Sequence, residues 1–214
     1  RSAVSGAADH GLQVIYYASG HRDQLDVAMR RAVLTGVSQT AAQLQITRAD
    51  EMGCDLVQTS AHIGARPSHQ LWQGKVFSRS GTNTRYPNFV EETGYGTGPG
   101  LCGWNCRHSF YPFFEGISQN AYSKAERESF ERKTVTLDGQ QISVYDATQK
   151  QRYIERKIRY WKRQQSAMNA AKLDSSPETT KVRQWQGRMR SLIKQLDGQV
   201  DGAKWYRQWE RERI

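Results

Sequence analysis

The chain has 214 residues, 37% of them hydrophobic, and a formal net charge of +10 at pH 7. This length is sufficient for one or two domains with a buried core, and no run approaches the roughly 18 apolar residues that a transmembrane helix needs, so no membrane span is predicted. The three cysteines cannot all pair, which argues against a secreted disulfide framework and favours reduced thiols or thiolate metal ligands.

The first half of the chain predicts a helical lead-in, a long helix and a small sheet. Residues 1–20 are expected to be partly helical, and apolar residues at three- and four-residue steps predict a helix over 23–50. Strands are predicted over 54–63, 75–78 and 106–114, with short helical turns at Pro67 and over 89–93. The expected apolar stripe of the long helix comprises Leu25, Met29, Val33, Val37, Ala41 and Leu44.

The second half predicts a short charged helix over 123–132, a β-hairpin and two basic helices. Asp138-Gly139 lies between two β-branched runs within 133–146 and is the sequence signal of a type I′ turn. Two helices follow, separated by a break over 174–178, and an amphipathic tail is expected over 204–213. We expect the two helices to form an antiparallel pair.

Together these elements predict an α+β fold in three parts. Residues 1–53 are expected to form the lead-in and a bracing helix, and residues 54–146 a His- and Cys-rich core with a small mixed or antiparallel sheet and the β-hairpin. Residues 147–214 are expected to form the basic helical hairpin and tail. The chain begins with Arg1 rather than Met, so we expect a fragment or a processed product.

Histidine, cysteine and tryptophan are concentrated in two segments, SAHIGARPSHQLWQGKVF over 60–77 and GPGLCGWNCRHSFYPF over 98–113. Zinc takes four nitrogen or sulfur ligands in tetrahedral geometry. In the alternative interpretation, both cysteines of the second segment pack in the core while the histidines hydrogen-bond to loop backbone, and the sequence leaves both open. The predicted zinc ligands are His69, Cys102, Cys106 and His108, with His62 as an alternate.

The first segment also contains Arg66 and Trp72. The guanidinium of Arg66 is expected either to pin the loop to a carboxylate, with Glu91 or Glu92 as candidates, or to hold a phosphate. Trp72 is expected to be a core residue.

The net positive charge is confined to the last third of the chain. Residues 1–146 contain 14 lysines and arginines and 14 acidic residues, whereas residues 147–214 contain 17 and 7. Phosphate contacts by such residues release counterions, and no base-reading motif accompanies them, so binding of DNA without sequence specificity is predicted. An acidic protein partner and a solvated helical face are the alternatives. The predicted DNA contacts are Lys150, Arg152, Arg156, Arg159, Lys162 and Arg163.

Four segments, in this order, carry a family resemblance: SGHRDQLDVAMRRAVLTGVSQT, CDLVQTSAHIGARPSHQLWQGKVF, GTGPGLCGWNCRHSFYPF and ATQKQRYIERKIRYWKR. They resemble the C-terminal half of tailed-phage minor capsid proteins of the "minor capsid protein 2" type. The resemblance implies a structural or assembly role in the phage head, without turnover, after assembly in the bacterial cytoplasm. It implies the portal or major capsid protein, and packaged DNA, as partners.

The ARPSHQLWQGKVF and NCRH segments are also similar to the broader Mu F head-morphogenesis proteins, which often carry a Cys-x-x-Cys and a later Cys-Arg-Cys. Here Arg66 and His69 stand where the first pair of cysteines would be, and His108 stands where the last would be. Only Cys106 matches directly. The resemblance therefore does not supply a metal site, and the expected cofactor is either none or a structural zinc.

The alternative function is a virion-carried effector enzyme, a nuclease or an ADP-ribosyl-transferring toxin, in which histidine serves as general acid or base. Its catalytic group would be His62, Arg66, His69 and His108. No HExxH, GxSxG or P-loop motif is present, and the two glutamates at 91 and 92 are the only carboxylates between residues 60 and 113. The sequence therefore favours binding over catalysis.

Overall fold

A computed structural model describes residues 1–10 and 14–200, and its elements confirm the α+β class. The helices are α1 (Ser2–His10), α2 (Leu25–Glu51), α3 (Pro67–Gln70), α4 (Phe89–Thr93), α5 (Lys124–Arg132), α6 (Val144–Ala170) and α7 (Ser176–Leu196). The strands are β1 (Val14–Tyr16), β2 (Arg22–Gln24), β3 (Leu56–Thr59), β4 (Val76–Ser78), β5 (Phe110–Pro112), β6 (Thr134–Leu137) and β7 (Gln140–Ser143). The predicted tail over 204–213 lies outside the described residues.

The chain divides into two compact units. The sheet unit is the continuous segment Asp26–Arg132, and the helical unit combines Arg1–Leu25 with Lys133–Ile214. The division at residues 53 and 146 expected from the sequence remains a prediction. In the structure, the hairpin of β6 and β7 packs with α6 and α7 inside the helical unit.

The sheet unit is built around β3, the central strand of a three-stranded antiparallel sheet in the order β4-β3-β5. Val57 pairs with Phe77 on one side and with Pro112 on the other. All four residues of β3 are buried. The buried Gln58 side chain is satisfied by donating to the carbonyl of Gly74 at 3.2 Å and accepting from the Tyr111 hydroxyl at 3.3 Å. A polar side chain is therefore tolerated in the middle of the core.

Helix α2 packs on this core through small residues and not through its predicted stripe. Ala42 and Ile46 join the apolar cluster around Val57, and Ala49 is fully buried. Periodicity identified an apolar stripe on this helix, but close approach of the helix to the core selects the alanine-rich face, and most of the stripe is exposed. The stripe residues Met29, Val33, Val37 and Leu44 are 58–63% exposed, Leu25 is 39% exposed, and Ala41 is exposed.

In the helical unit, α6 and α7 form the predicted antiparallel pair. The rings of Tyr153 and Trp185 lie 5.7 Å apart, and Gln165 donates to the hydroxyl of Thr179 at 2.7 Å, so residues further along α6 face residues nearer the start of α7. The buried apolar side chains of the two helices are Val144, Ala147, Ile154, Ile158, Met168, Val182, Met189, Leu192 and Leu196.

The β-hairpin has the turn that its sequence predicts. Asp138 and Gly139 have φ values of 51° and 77°, as a type I′ turn requires. The backbone N–H of Asp138 donates to the Gln195 side chain at 2.9 Å, and the Gln195 amide donates to the Asp138 carboxylate at 3.0 Å. These reciprocal bonds attach the turn to the end of α7.

The lead-in is partly helical, as expected, because α1 covers nine of its residues. Gln164 of α6 donates to the carboxylate of Asp9 at 2.7 Å and thereby attaches α1 to α6. The pairing of β1 with β2 was not predicted, since strands of three residues are too short to show an alternating pattern. None of the helices within the described ranges is long and apolar enough to cross a bilayer.

Candidate functional site

The segments that carry His62 and His108 are joined where β3 ends and β5 begins. The backbone N–H of Ser60 donates to the carbonyl of Ser109 at 2.8 Å, and the N–H of Ser109 donates to the Ser60 hydroxyl at 2.9 Å. These two hydrogen bonds continue the β3–β5 pairing by one residue. They hold the chain segments that lead to His62 and His108 close together.

Helix α3 positions His69. Pro67 occupies an early helical position, where its missing N–H has no cost, and the N–H of His69 donates to the carbonyl of Arg66 at 2.8 Å. His69 is 2% exposed, and its ring centroid lies 4.6 Å from that of Trp72. Trp72 is 4% exposed, which confirms its prediction as a core residue.

A glycine-rich loop positions Cys106. The N–H of Trp104 donates to the carbonyl of Gly98 at 2.6 Å, and the N–H of Cys106 donates to the carbonyl of Gly103 at 3.1 Å. Cys102 and Asn105 have φ values of 59° and 54°, a region that residues with a side chain rarely adopt. Strained backbone on the approach to the thiol indicates that its position is strongly specified.

Three ligand atoms converge between these elements. The Nδ1 atoms of His69 and His108 lie 3.4 Å apart, and the Sγ atom of Cys106 lies 3.8 Å from the first and 3.7 Å from the second. All three atoms lie within 4.8 Å of one another. The structure thus brings together three of the four residues that the sequence predicts as metal ligands.

The other ring nitrogens fix the tautomers of the two histidines. His69 Nε2 lies 2.9 Å from the carbonyl oxygen of Pro99, and His108 Nε2 lies 3.2 Å from Gln73 Oε1. Gln73 Oε1 also accepts from the backbone N–H of His62 at 3.1 Å, which identifies it as the amide oxygen. Because carbonyl oxygens only accept, both hydrogens are on Nε2, and both Nδ1 atoms present lone pairs to each other.

Burial keeps both rings neutral. Desolvation lowers the pKa of His69 and lowers that of His108 to about 2, and the neighbouring His62 adds to the effect at both sites. A protonated imidazolium therefore does not bridge the two Nδ1 atoms at neutral pH.

Cys102 has a different environment from Cys106. Its Sγ lies 3.6 Å from the carbonyl of His108, and it packs in the apolar cluster with Leu101 and Phe110. Burial, followed by the neighbouring Cys106, raises the pKa of the Cys102 thiol to about 11. It is not a member of the converging group, and its placement fits the core interpretation of this cysteine.

His62, the alternate ligand, stacks on the ring of His108 with a centroid distance of 4.3 Å. Its Nδ1 lies 3.0 Å from the carbonyl of Ile63, and its buried Nε2 has no hydrogen-bond partner among the described residues. Burial lowers the pKa of His62, so this ring is also neutral at pH 7.

Arg66 pins the loop, but through a carbonyl. Its Nη2 donates to the Trp104 carbonyl at 2.7 Å. Within residues 1–10 and 14–200 no ion pair joins it to Glu91 or Glu92, so the predicted carboxylate partner was wrong; a backbone oxygen of the adjacent loop is closer than either glutamate.

The basic helices expose some of the predicted DNA contacts more than others. Lys150 and Arg156 are exposed, whereas Arg152, Arg159, Lys162 and Arg163 are half-buried. The exposed cations of α7 received less weight from the sequence, because the denser cluster lies in α6. The exposed cations of α7 are Lys181, Arg183, Arg188, Arg190 and Lys194.

Comparison with known proteins gives the family. The family model of phage minor capsid protein 2 matches residues 1–194. The chain belongs to this family. The predicted resemblance is thereby confirmed.

Two relatives are both named as structural proteins of phages. The chain is similar to one from Lactococcus phage LL-H, with 27% identity over 190 residues, covering 83% of this chain and 47% of the relative. It is similar to another from Lactococcus phage mv4, with 29% identity over 135 residues, covering 62% of this chain and 94% of the relative. The chain spans about half the length of the LL-H protein. No solved structure matches it.

Proposed function

We propose that this family member acts by binding, without turnover: it contacts packaged DNA and a portal or capsid protein in the phage head, after assembly in the bacterial cytoplasm. The observation that supports DNA contact is the charge of the helical hairpin. Helices α6 and α7 contain twelve lysines and arginines against three acidic residues. Two of these acids, Glu155 and Glu178, are only 8% and 7% exposed, so little negative charge offsets the positive charge on the surface of the two helices.

The outer face of α7 is the proposed centre of the DNA contact. Arg183, Arg190 and Lys194 are all exposed, and steps of seven and four residues place them on one helical face. At 1.5 Å per residue they span about 16 Å of helix. A duplex strand carries one phosphate every 3.4 Å or so of its axis, so several phosphates lie within reach. No base-reading motif accompanies these side chains, and recognition is therefore independent of sequence.

Charge reversal tests this contact. We expect the triple variant Arg183→Glu, Arg190→Glu and Lys194→Glu to lose DNA retention at moderate salt. The salt dependence of the wild-type affinity should exceed that of the variant by about 0.9 in log–log slope for each phosphate that the variant no longer neutralises. Circular dichroism of both proteins checks that α7 remains folded.

A matched control carries the same change in net charge on the sheet unit. Arg48, Lys75 and Lys124 are exposed there, and their replacement by Glu should leave most of the affinity intact. Equal losses of DNA affinity in both triple variants would mean that binding depends only on net charge. Unchanged DNA retention in the α7 variant would exclude this face of α7 as the DNA contact. Preference for one duplex sequence over unrelated ones would contradict non-specific binding.

The exposed stripe of α2 is the proposed contact with a head protein. Met29, Val33 and Val37 follow one another at four-residue steps, and each is more than half exposed. Contiguous exposed apolar surface of this kind is typical of protein–protein interfaces. Family membership supports the portal or the major capsid protein as the partner.

Particle assembly tests the stripe. Val33→Glu with Val37→Glu should reduce incorporation into phage heads, whereas Gln43→Glu with Thr47→Glu, two exposed positions of the same helix, should not. Cross-linking of the incorporated wild-type protein then identifies the portal or the major capsid protein as neighbour. Normal incorporation of the valine variant would refute the contact.

The effector-enzyme alternative has less support. His69 and His108 are 2% and 3% exposed, and a general acid or base must reach its substrate. Incubation with plasmid, RNA and NAD tests it: turnover that His69→Ala abolishes would favour the enzyme, and unchanged substrates would favour binding.

A further inference from the structure

We propose that His69 Nδ1, Cys106 Sγ and His108 Nδ1 are the three protein ligands of a zinc ion that cross-links the sheet unit. This assignment is independent of the DNA and capsid contacts. It differs from the set predicted from the sequence, because Cys102 is a core thiol and not a ligand.

The first argument is the spacing of the three atoms. Zinc binds imidazole nitrogen at about 2.0–2.1 Å and thiolate sulfur at about 2.3 Å in tetrahedral geometry, which separates two nitrogens by about 3.4 Å and a nitrogen from a sulfur by about 3.6 Å. The observed separations are 3.4 Å between the nitrogens and 3.7 and 3.8 Å from each nitrogen to the sulfur. The cluster therefore already has three corners of a zinc tetrahedron.

The second argument is the orientation of the lone pairs. The Nε2 hydrogens of His69 and His108 point at carbonyl oxygens, so the two Nδ1 atoms face each other as acceptors at 3.4 Å. The single thiol proton of Cys106 can satisfy only one of them. A cation between the three atoms would satisfy both nitrogens and bind Cys106 as a thiolate, with the thiol proton released to water.

The third argument is the support behind each ligand. A metal-ligating histidine almost always donates its second ring N–H to a carbonyl, a carboxylate or water, which fixes the tautomer. Pro99 provides this acceptor for His69, and Gln73 provides it for His108. Gln73 is itself 1% exposed and held by the His62 N–H, so its position is well defined.

The donor set selects the metal. Two imidazoles and one thiolate, without a carboxylate, suit a borderline-soft ion such as Zn²⁺ and not Mg²⁺ or Ca²⁺. Cys106 is half-buried, so water can complete the shell from its side. Because the imidazoles of His69 and His108 are almost fully buried, we assign a structural role: the ion ties α3, the glycine-rich loop and the segment before β5.

Cobalt substitution tests the site. The reduced, metal-free full chain is titrated with Co²⁺, and one equivalent should produce a thiolate-to-cobalt charge-transfer band that Zn²⁺ then displaces. Cys106→Ser should abolish the band. Cys54→Ser is the matched control, because that thiol donates to the carbonyls of Leu56 and Phe113, as a hydroxyl also can. Cys102→Ala should retain the band.

Thermal unfolding gives an independent readout. Added Zn²⁺ should raise the Tm of wild type, Cys54→Ser and Cys102→Ala, and leave that of Cys106→Ser unchanged; replacing a half-buried thiol by a hydroxyl keeps this variant foldable. Absence of the cobalt band in wild type, or its persistence in Cys106→Ser, would overturn the proposal. Loss of the band in Cys102→Ala would overturn the three-ligand assignment, and loss in Cys54→Ser would place the ion elsewhere.

Discussion

His69 and His108 present their Nδ1 atoms to each other across 3.4 Å, although 39 positions separate them along the chain. Trp72 contacts both imidazoles, with ring centroids 4.6 Å from His69 and 4.8 Å from His108. The indole therefore limits the rotation of both rings, so that their Nδ1 lone pairs continue to face each other. Substitutions at single side chains can therefore test how these two rings are held.

The amide of Gln73 is expected to position His108 for metal binding. Gln73→Met keeps most of the volume but removes the acceptor for His108 Nε2, and loss of such an outer partner lowers metal affinity by about 10–100-fold. Competition with a chromophoric chelator measures the Zn²⁺ affinity. Gln70→Met on α3 is the control, since the Gln70 amide donates to the carbonyl of Ala65 and not to a ring nitrogen. Equal affinities in wild type and Gln73→Met would refute this role.

Gly100 is required by the close approach of two backbone segments. A Cβ atom at this position would overlap the carbonyl oxygen of Gly94. We expect Gly100→Ala to lower the free energy of unfolding by about 1–3 kcal/mol or more, as overpacking of a rigid site does. Urea denaturation measures the change.

The control for this variant is Gly36→Ala within α2, where an added Cβ meets nothing within 4 Å. Alanine is the better helix former by about 1 kcal/mol, so this variant should be stabilised. A Gly100→Ala protein as stable as wild type would contradict the close approach.

The contact between α6 and α7 depends on buried apolar volume. Ile158 and Met189 are both fully buried, and truncation of such a side chain to alanine costs about 2–5 kcal/mol through lost burial and the remaining cavity. We expect Ile158→Ala and Met189→Ala to fall in this range, and Ile158→Val to cost about 0.5–1.5 kcal/mol. Leu173→Ala, at an exposed position, should change stability little. Chemical denaturation followed by circular dichroism distinguishes the variants, and similar values for all four would refute the packing.

Asp55 should make the stability of the sheet unit depend on pH. Partial burial acts to raise the pKa of Asp55, but hydrogen bonds from Ser78 and Ser80 and the charge of Arg79 outweigh it, so the pKa lies below the usual 3.8. A carboxylate with a lowered pKa in the folded state stabilises the fold at neutral pH. This contribution is lost as the pH falls through the folded pKa.

The comparison with Asp55→Asn isolates this effect. The difference in free energy of unfolding between wild type and Asp55→Asn should be largest near neutral pH and shrink as the pH falls toward 3.8 and below. Arg79 also pairs with Asp50 at 2.7 Å, and both proteins keep this ion pair. A difference that is independent of pH would show that the Asp55 charge contributes nothing.

Local signals in the sequence predicted much of the fold. The turn at Asp138-Gly139 and the short helix over Phe89–Thr93 were predicted because their determinants lie within a few residues. The strand predicted over 54–63 is observed only over Leu56–Thr59, since its end depends on pairing with β4 and β5. The apolar stripe of α2 was identified from the sequence, but a helix with both an apolar and an alanine-rich face does not itself specify which face meets the core.

The candidate site was only partly predictable. Residue type identified His69, Cys106 and His108, because imidazole and thiol are rare and were concentrated in two segments. It also selected Cys102, since spacing does not reveal that this side chain packs into the core. Gln73 and Pro99 were missed: their roles depend on an amide oxygen and a backbone carbonyl that tertiary folding brings to the rings.

The sheet unit is one uninterrupted stretch, whereas the helical unit is assembled from the segments on either side of it. During translation the whole of Asp26–Arg132 is synthesised before α6 and α7. Because domains fold as units in the order in which they emerge, we expect the thiol and imidazole groups to be enclosed before the cationic helices meet any polyanion. The order in which the two units fold would then be set by the connectivity of the chain.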